Sequence, residues 1–127
     1  NAEKIALWLQ KQSIVKEVFY PGLPTHPGYE ILKKQARGFG SMLTFYVDTK
    51  EHALKILEGV RMIKFAESLG GVETLITYPT TQTHADVPAV VREKNGITEC
   101  TLRMSVGIED YEDLINELEE VFRKAGE

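Results

Sequence analysis

The sequence has a single cysteine, Cys100, so no internal disulfide is possible. That suits a reducing compartment, and a cytoplasmic location is expected. No apolar run approaches the roughly 20 residues that a membrane-spanning helix requires, so no membrane partner is expected. No stripe of Lys and Arg is present; the formal charge is -4, which argues against nucleic acid as a partner. His26, His52 and His84 stand at no metal-ligand spacing, and Cys100 has no companion thiol, so no metal site is expected. Gly38-Phe39-Gly40 and Gly70-Gly71 lack the spacing and the following Lys and Ser of a phosphate-binding loop. No nucleophile, histidine and carboxylate fall into a hydrolytic pattern. There is no internal repeat and no low-complexity tract. The sequence opens directly into a helical pattern at Asn1-Ala2-Glu3-Lys4, so no signal peptide is expected there and a chain cut from something longer is.

What is present is an ordinary globular balance over 127 residues, with 43% hydrophobic and 27% charged residues, enough for one domain spanning residues 1–127. Ala2, Ile5, Ala6, Trp8 and Leu9 share a helical face up to about Gln12. Val15 to Tyr20 reads as a strand. Three prolines and two glycines between Pro21 and Gly28 make a fixed loop. A short helix is expected from Tyr29 to about Ala36. Leu43, Phe45 and Val47 alternate with Met42, Thr44 and Tyr46, the period of a second strand. Asp48 and Glu51 are spaced as a capping box for the next helix. Met62 to Ala66 reads as a third strand, and Val72 to Thr77 as a short helix stopped before Pro79. Thr80 to Ala85 is a polar loop, and Asp86 is placed to cap a helix with Pro88 in its first turn, ending before Gly96. The final helix is the best signposted: Asp110 caps it, Glu112 and Asp113 open it, and Arg123 and Lys124 close it. Its inner stripe is Tyr111, Leu114, Ile115, Leu118, Phe122 and Ala125. The expected fold is α+β: a mainly antiparallel four-stranded sheet with helices packed on one side and a second face left solvated or docked.

The stretch from Thr101 to Asp110 joins the fourth strand to that helix. Cys100, Leu102, Met104 and Val106 form an apolar face, with Cys100 expected as a buried, inert thiol. Arg103 lies on the other face between Thr101 and Ser105. A planar, permanently charged fork on a rigid strand suits bidentate capture of a carboxylate or phosphate. A solvated surface arginine is the commoner outcome of such a pattern. Glu67-Ser68-Leu69-Gly70-Gly71 ends the third strand. Were that strand a neighbour of the fourth, amides near Ser68 and Leu69 would converge with Arg103 on one small anion. Glu67 could serve as a base in principle, although a lone glutamate after a strand is more often a surface residue. Thr83 and His84 read as loop-stabilising residues. Pattern alone goes no further.

Several of these stretches together resemble one family. They are Tyr20-Pro21-Gly22-Leu23-Pro24-Thr25-His26-Pro27, Gly38-Phe39-Gly40-Ser41-Met42-Leu43, Ala66 through Leu75, Pro79 through Ala85, and Leu102 through Leu114. In order and spacing the chain is similar to the C-terminal domain of the Cys/Met-metabolism pyridoxal-phosphate enzymes. These include cystathionine γ-synthase, the cystathionine γ- and β-lyases, methionine γ-lyase and the O-acylhomoserine sulfhydrylases. The resemblance implies the small C-terminal domain of an aminotransferase-like, fold type I enzyme. It implies that Arg103, Ser68 and Leu69 bind the substrate, with the carboxylate on Arg103, and that Glu67 and Thr83 lie close by with lesser roles.

The resemblance also implies what lies outside these 127 residues: the cofactor's lysine, its phosphate-binding residues and the tyrosine that stacks on its ring. By itself the chain is expected neither to hold pyridoxal phosphate nor to turn over substrate, and no catalytic residue is assigned to it. The implied partners are its own N-terminal cofactor domain and an amino-acid substrate of homoserine-ester or cystathionine type, within a homotetramer. Ser68 to Thr74, Thr77-Tyr78-Pro79 and Thr81 to His84 look most similar to the γ-synthase and sulfhydrylase branch, with the γ- and β-lyases and methionine γ-lyase as alternatives. A non-catalytic amino-acid-binding or regulatory module, or a structural domain that re-pairs with its N-terminal half, remains as a reading of another class.

Overall fold

The computed structural model describes residues 1–81 and 85–127. Its elements in order are α1 (Ala2–Gln10), β1 (Val15–Phe19), α2 (Tyr29–Gln35), β2 (Met42–Val47), α3 (Lys50–Gly59), β3 (Lys64–Phe65), β4 (Leu75–Thr77), α4 (Ala89–Lys94), β5 (Thr101–Ser105) and α5 (Tyr111–Ala125). The sheet runs β1-β2-β5-β4-β3. The β1–β2, β2–β5 and β4–β5 pairs are antiparallel, and β3–β4 is parallel.

The architecture is α+β as the pattern predicts, but the sheet has five strands where four are expected. The extra strand is β4, in the segment read as a helix. Val72, Leu75 and Ile76 are spaced as one helical face would be, yet Val72 is 66% exposed and Thr74 fully buried. The backbone groups of Leu75, Ile76 and Thr77 lie opposite Ser105, Met104 and Arg103, so long-range pairing overrides local periodicity. Two helix starts also differ from expectation. Thr49, not Asp48, caps α3, its hydroxyl accepting the His52 amide, while the Asp48 carboxylate meets the His52 ring at 2.5 Å. Pro88 sits at the N-cap of α4 without any side-chain bond, so Asp86 does not cap it.

One face of the sheet carries the core. Val18, Phe45 and Leu102 stand in register across β1, β2 and β5, and Leu43, Met104 and Ile76 across β2, β5 and β4. All six are buried. Helices α1, α3 and α5 cover them with Ile5, Leu9, Ile56, Leu114, Leu118 and Phe122. Each large apolar side chain removed from water contributes about 1.5–3 kcal/mol. In α5 the inner stripe is Leu114, Leu118, Val121, Phe122 and Ala125, with Tyr111 and Ile115 only half-buried. Asp110 caps α5 through the Glu112 amide at 2.8 Å, as its position predicts.

Glu117 of α5 ties the α3–β3 connection to the core. Its carboxylate accepts the amides of Arg61, Met62 and Ile63 at 3.0, 2.7 and 2.8 Å. Three successive backbone donors that enter no strand ladder are thereby satisfied by one side chain.

Candidate substrate-carboxylate site

The opposite face of the sheet carries a polar row. Phe19, Thr44, Arg103 and Thr77 lie side by side across β1, β2, β5 and β4. Period-two alternation sends these side chains away from the core, because their neighbours in each strand point into it. Arg103 is therefore held at mid-sheet, half-buried. Among the five arginines of the chain it alone lies on a strand.

Loops close over the row on both sides of Arg103. On one side the Thr101 hydroxyl, 2% exposed, accepts the Thr98 amide at 2.8 Å. The Tyr46 hydroxyl donates to the Gly96 carbonyl, and the Tyr78 hydroxyl to the Glu99 carbonyl at 2.6 Å. Burial raises both phenols, assisted by Glu17 at Tyr46 and by Glu99 and Cys100 at Tyr78, so they remain protonated donors. On the other side is the β3–β4 connection. Against the first of these loops a cleft of about 360 Å³ opens along Arg103, lined by Phe19, Thr44, Tyr46, Pro79 and Ile97 among others. A larger hollow of about 560 Å³ lies at the β1 edge beside His26 and Pro27. Its lining includes none of the buried polar side chains.

The predicted site residues are placed as follows. Arg103 Nη2 donates to the Glu67 carbonyl at 3.2 Å and reaches the Thr77 hydroxyl at 3.5 Å. Its Nε and Nη1 meet no acceptor among the described residues, which leaves N–H donors of the fork for an anion. Glu67, Ser68 and Leu69 are exposed and lie just beyond β3. The amides of Ser68 and Leu69 donate to nothing among the described residues. The structure thus brings the β3 end to the guanidinium, although β4 lies between β3 and β5. The Glu67–Ser68 peptide is trans, so the Ser68 N–H points away from the carbonyl that Arg103 holds. A ligand shared by both donors requires that peptide to turn. The Glu67 carboxylate is not the group that meets Arg103; its backbone carbonyl is. Thr83 and His84 lie outside the described residues. Cys100 is half-buried just before β5, and burial, with Glu99 and Asp48 after it, pushes its thiol up.

Sequence reasoning missed the frame behind this loop. Glu109, at the turn between β5 and α5, accepts the Thr74 amide and the Thr74 hydroxyl, both at 2.7 Å. The same hydroxyl accepts the Gly107 amide at 2.8 Å. Burial pushes the Glu109 carboxyl up, but its bonds from Thr74 outweigh this and hold it below the usual carboxylate range. A β-carbon on Gly107 would lie 2.2 Å from the Val72 carbonyl oxygen, so only glycine admits this approach. The available signal was Gly107-Ile108-Glu109 directly after a strand: a glycine where two backbones meet, followed by a carboxylate.

The cleft offers one guanidinium, hydroxyls and aromatic walls, and no lysine lines it. The described residues there do not make a complete site for pyridoxal phosphate, which needs a lysine amine and a phosphate cradle. What they can do is grip a carboxylate and shape the space beside it.

Compared with known proteins, residues 1–123 match the family model described as Cys/Met metabolism PLP-dependent enzyme. The chain is 48% identical over 126 residues to the cystathionine γ-synthase of Escherichia coli, covering 98% of this chain and 33% of that protein. It is 46% identical over 125 residues to a cystathionine β-lyase of Lactococcus lactis, again covering 98% and 33%. Among solved structures it superposes on a cystathionine γ-synthase of Xanthomonas oryzae in complex with cystathionine. The TM-score is 0.92 at 40% identity, over 98% of this chain and 33% of that one. A cystathionine γ-lyase of Lactobacillus plantarum complexed with L-serine gives a TM-score of 0.90 at 38% identity, over 96% and 32%. The chain spans about a third of the length of the curated relatives it matches. With its sequence and its fold in agreement, the chain belongs to the Cys/Met-metabolism PLP-dependent enzyme family.

Proposed function

We propose that residues 1–127 are the small C-terminal domain of a pyridoxal-phosphate-dependent enzyme of transsulfuration, and that Arg103 binds the α-carboxylate of its amino-acid substrate. The observation that carries this reading is the place of Arg103: fixed to the middle of a sheet, in a cleft, with Nε and Nη1 unspent. A charge-assisted, two-point contact from a rigid strand sets orientation as well as affinity. Ser68 and Leu69 border the same site with free amides, and Glu67 and Thr83 have lesser roles near it. The ligands in the two similar solved structures, cystathionine and L-serine, are both α-amino acids, which supports a substrate of that class.

In this reading the remaining two-thirds of the protein holds the cofactor, which supplies the electron sink for chemistry at the amino acid. The present residues bind, orient and wall off the substrate. Relatives named γ-synthase, γ-lyase and β-lyase are similar at 48%, 45% and 46% identity. The branch therefore rests on local sequence, where Ser68-Leu69-Gly70-Gly71-Val72-Glu73-Thr74 favours a γ-synthase or O-acylhomoserine sulfhydrylase acting on a homoserine ester. A homotetramer is the expected assembly of the whole protein.

The test is Arg103→Ala in the full-length enzyme. KM for the amino-acid substrate should rise about ten- to a hundredfold, the range for losing a hydrogen-bonded charge, while cofactor absorbance stays intact. An unchanged KM removes the role. Substrate binding with no turnover when pyridoxal phosphate is supplied would favour the non-catalytic module instead.

A further inference from the structure

At four points the loop that borders Arg103 is tied to one continuous segment. Arg103 Nη2 holds the Glu67 carbonyl at 3.2 Å. The Ser105 hydroxyl accepts the Gly70 amide at 2.8 Å. The Ile108 amide donates to the Val72 carbonyl at 2.9 Å, and Glu109 holds Thr74 at 2.7 Å. Strand β5 and its exit thus template the connection from residue 67 to residue 74 in register, four ties in sequence order on both sides. Ser68 and Leu69, whose amides are unpaired among the described residues, lie between the first tie and the second.

We infer that Ser105 is a positioning residue for the carboxylate site, acting through Gly70 on the Ser68–Leu69 turn. The inference rests on the Arg103 reading above. Ser105 stands two residues from Arg103, on the same face of the same strand. It is 2% exposed, yet its partner is the amide of an exposed turn 35 residues away, not a group of its own strand. A serine that merely satisfied itself on a sheet would bond locally. Gly70 adopts φ +75°, a left-handed conformation that favours glycine, at the point where its amide meets β5. Without this tie the span from Glu67 to Val72 is held only at its ends. The turn is then free to drift from the guanidinium while the core beneath it is untouched.

The experiment uses the full-length enzyme with Ser105→Ala, Gly70→Ala and Arg103→Ala, measuring KM, kcat, cofactor absorbance and melting temperature. Ser105→Ala removes the acceptor from below. Gly70→Ala disturbs the same tie from above: an added β-carbon meets nothing within 4 Å, but the φ of +75° strains any other residue. Each should raise KM about three- to tenfold, the effect of one hydrogen bond, with kcat within about twofold and the absorbance unchanged. A KM unchanged in both, while Arg103→Ala raises it, overturns the role of Ser105 and leaves the carboxylate reading standing. A KM unchanged in all three overturns both. A fall in kcat at constant KM also overturns it, since positioning of a binding group acts on KM. Should Ser105→Ala fail to fold, Gly70→Ala decides.

Discussion

The two faces of this sheet are made from the same strands and obey different rules. On the covered face, Val18, Phe45 and Leu102 touch apolar neighbours in every direction, and shape is what matters. On the other, Phe19, Thr44, Arg103 and Thr77 occupy the adjacent rung, and hydrogen-bond direction matters. One residue along the strand separates the two regimes. Stability is concentrated on the first face and recognition on the second, so a substitution can damage one with little cost to the other.

The sharpest way to break this comparison is to truncate neighbours on opposite faces. Phe45→Ala empties a fully buried position and should cost about 3–5 kcal/mol in urea denaturation. Arg103→Ala, one rung away, removes a half-buried side chain with two long contacts and should cost under about 1 kcal/mol. Comparable losses at the two sites would show that the open face also holds the fold together.

Glu117 is next in size. It is a polar residue that serves the covered side, since it accepts three consecutive amides at the entrance to β3. Glu117→Ala should cost about 2–3 kcal/mol, with Glu117→Gln recovering part of it. Equal stability of the alanine variant and the parent would mean that water replaces the carboxylate.

The smallest effect belongs to Glu109, and it depends on pH. Its folded carboxyl titrates below the usual range because Thr74 donates to it twice. A depressed pKa gives stability that is complete above the unfolded value and is lost as pH falls through the folded one. Glu109→Gln should lower the urea midpoint near neutral pH and narrow its gap to the parent at about pH 3. A constant gap across that window would remove the linkage.

The covered face was legible in the sequence because burial imposes a period. Leu43, Phe45 and Val47 announce β2, and Asp110 with its acidic first turn announces α5. The open face was legible only at Arg103, where an arginine interrupts a strand. Strand β4 escaped because three residues are too few to show an alternation, and its bonds come from β5 and β3. Thr49 and Asp48 were confused because both side chains can cap a helix, and only geometry chooses between them. The ties from Ser105 and Glu109 to the loop escaped for a related reason: each spans 35 residues, a separation on which local pattern has no purchase. The end of β3 was expected at Arg103 only were the two strands neighbours; β4 separates them, and the actual contact is a backbone carbonyl, which no side-chain pattern encodes.

The most direct measurement compares two competitive inhibitors of the full-length enzyme, an unreactive amino acid and the amine that lacks its carboxylate. In the parent the amino acid should bind more tightly, by about ten- to a hundredfold, and Arg103→Ala should erase that preference by weakening the amino acid alone. A preference that survives Arg103→Ala would contradict the account, because the carboxylate would then be held by something other than the guanidinium on β5.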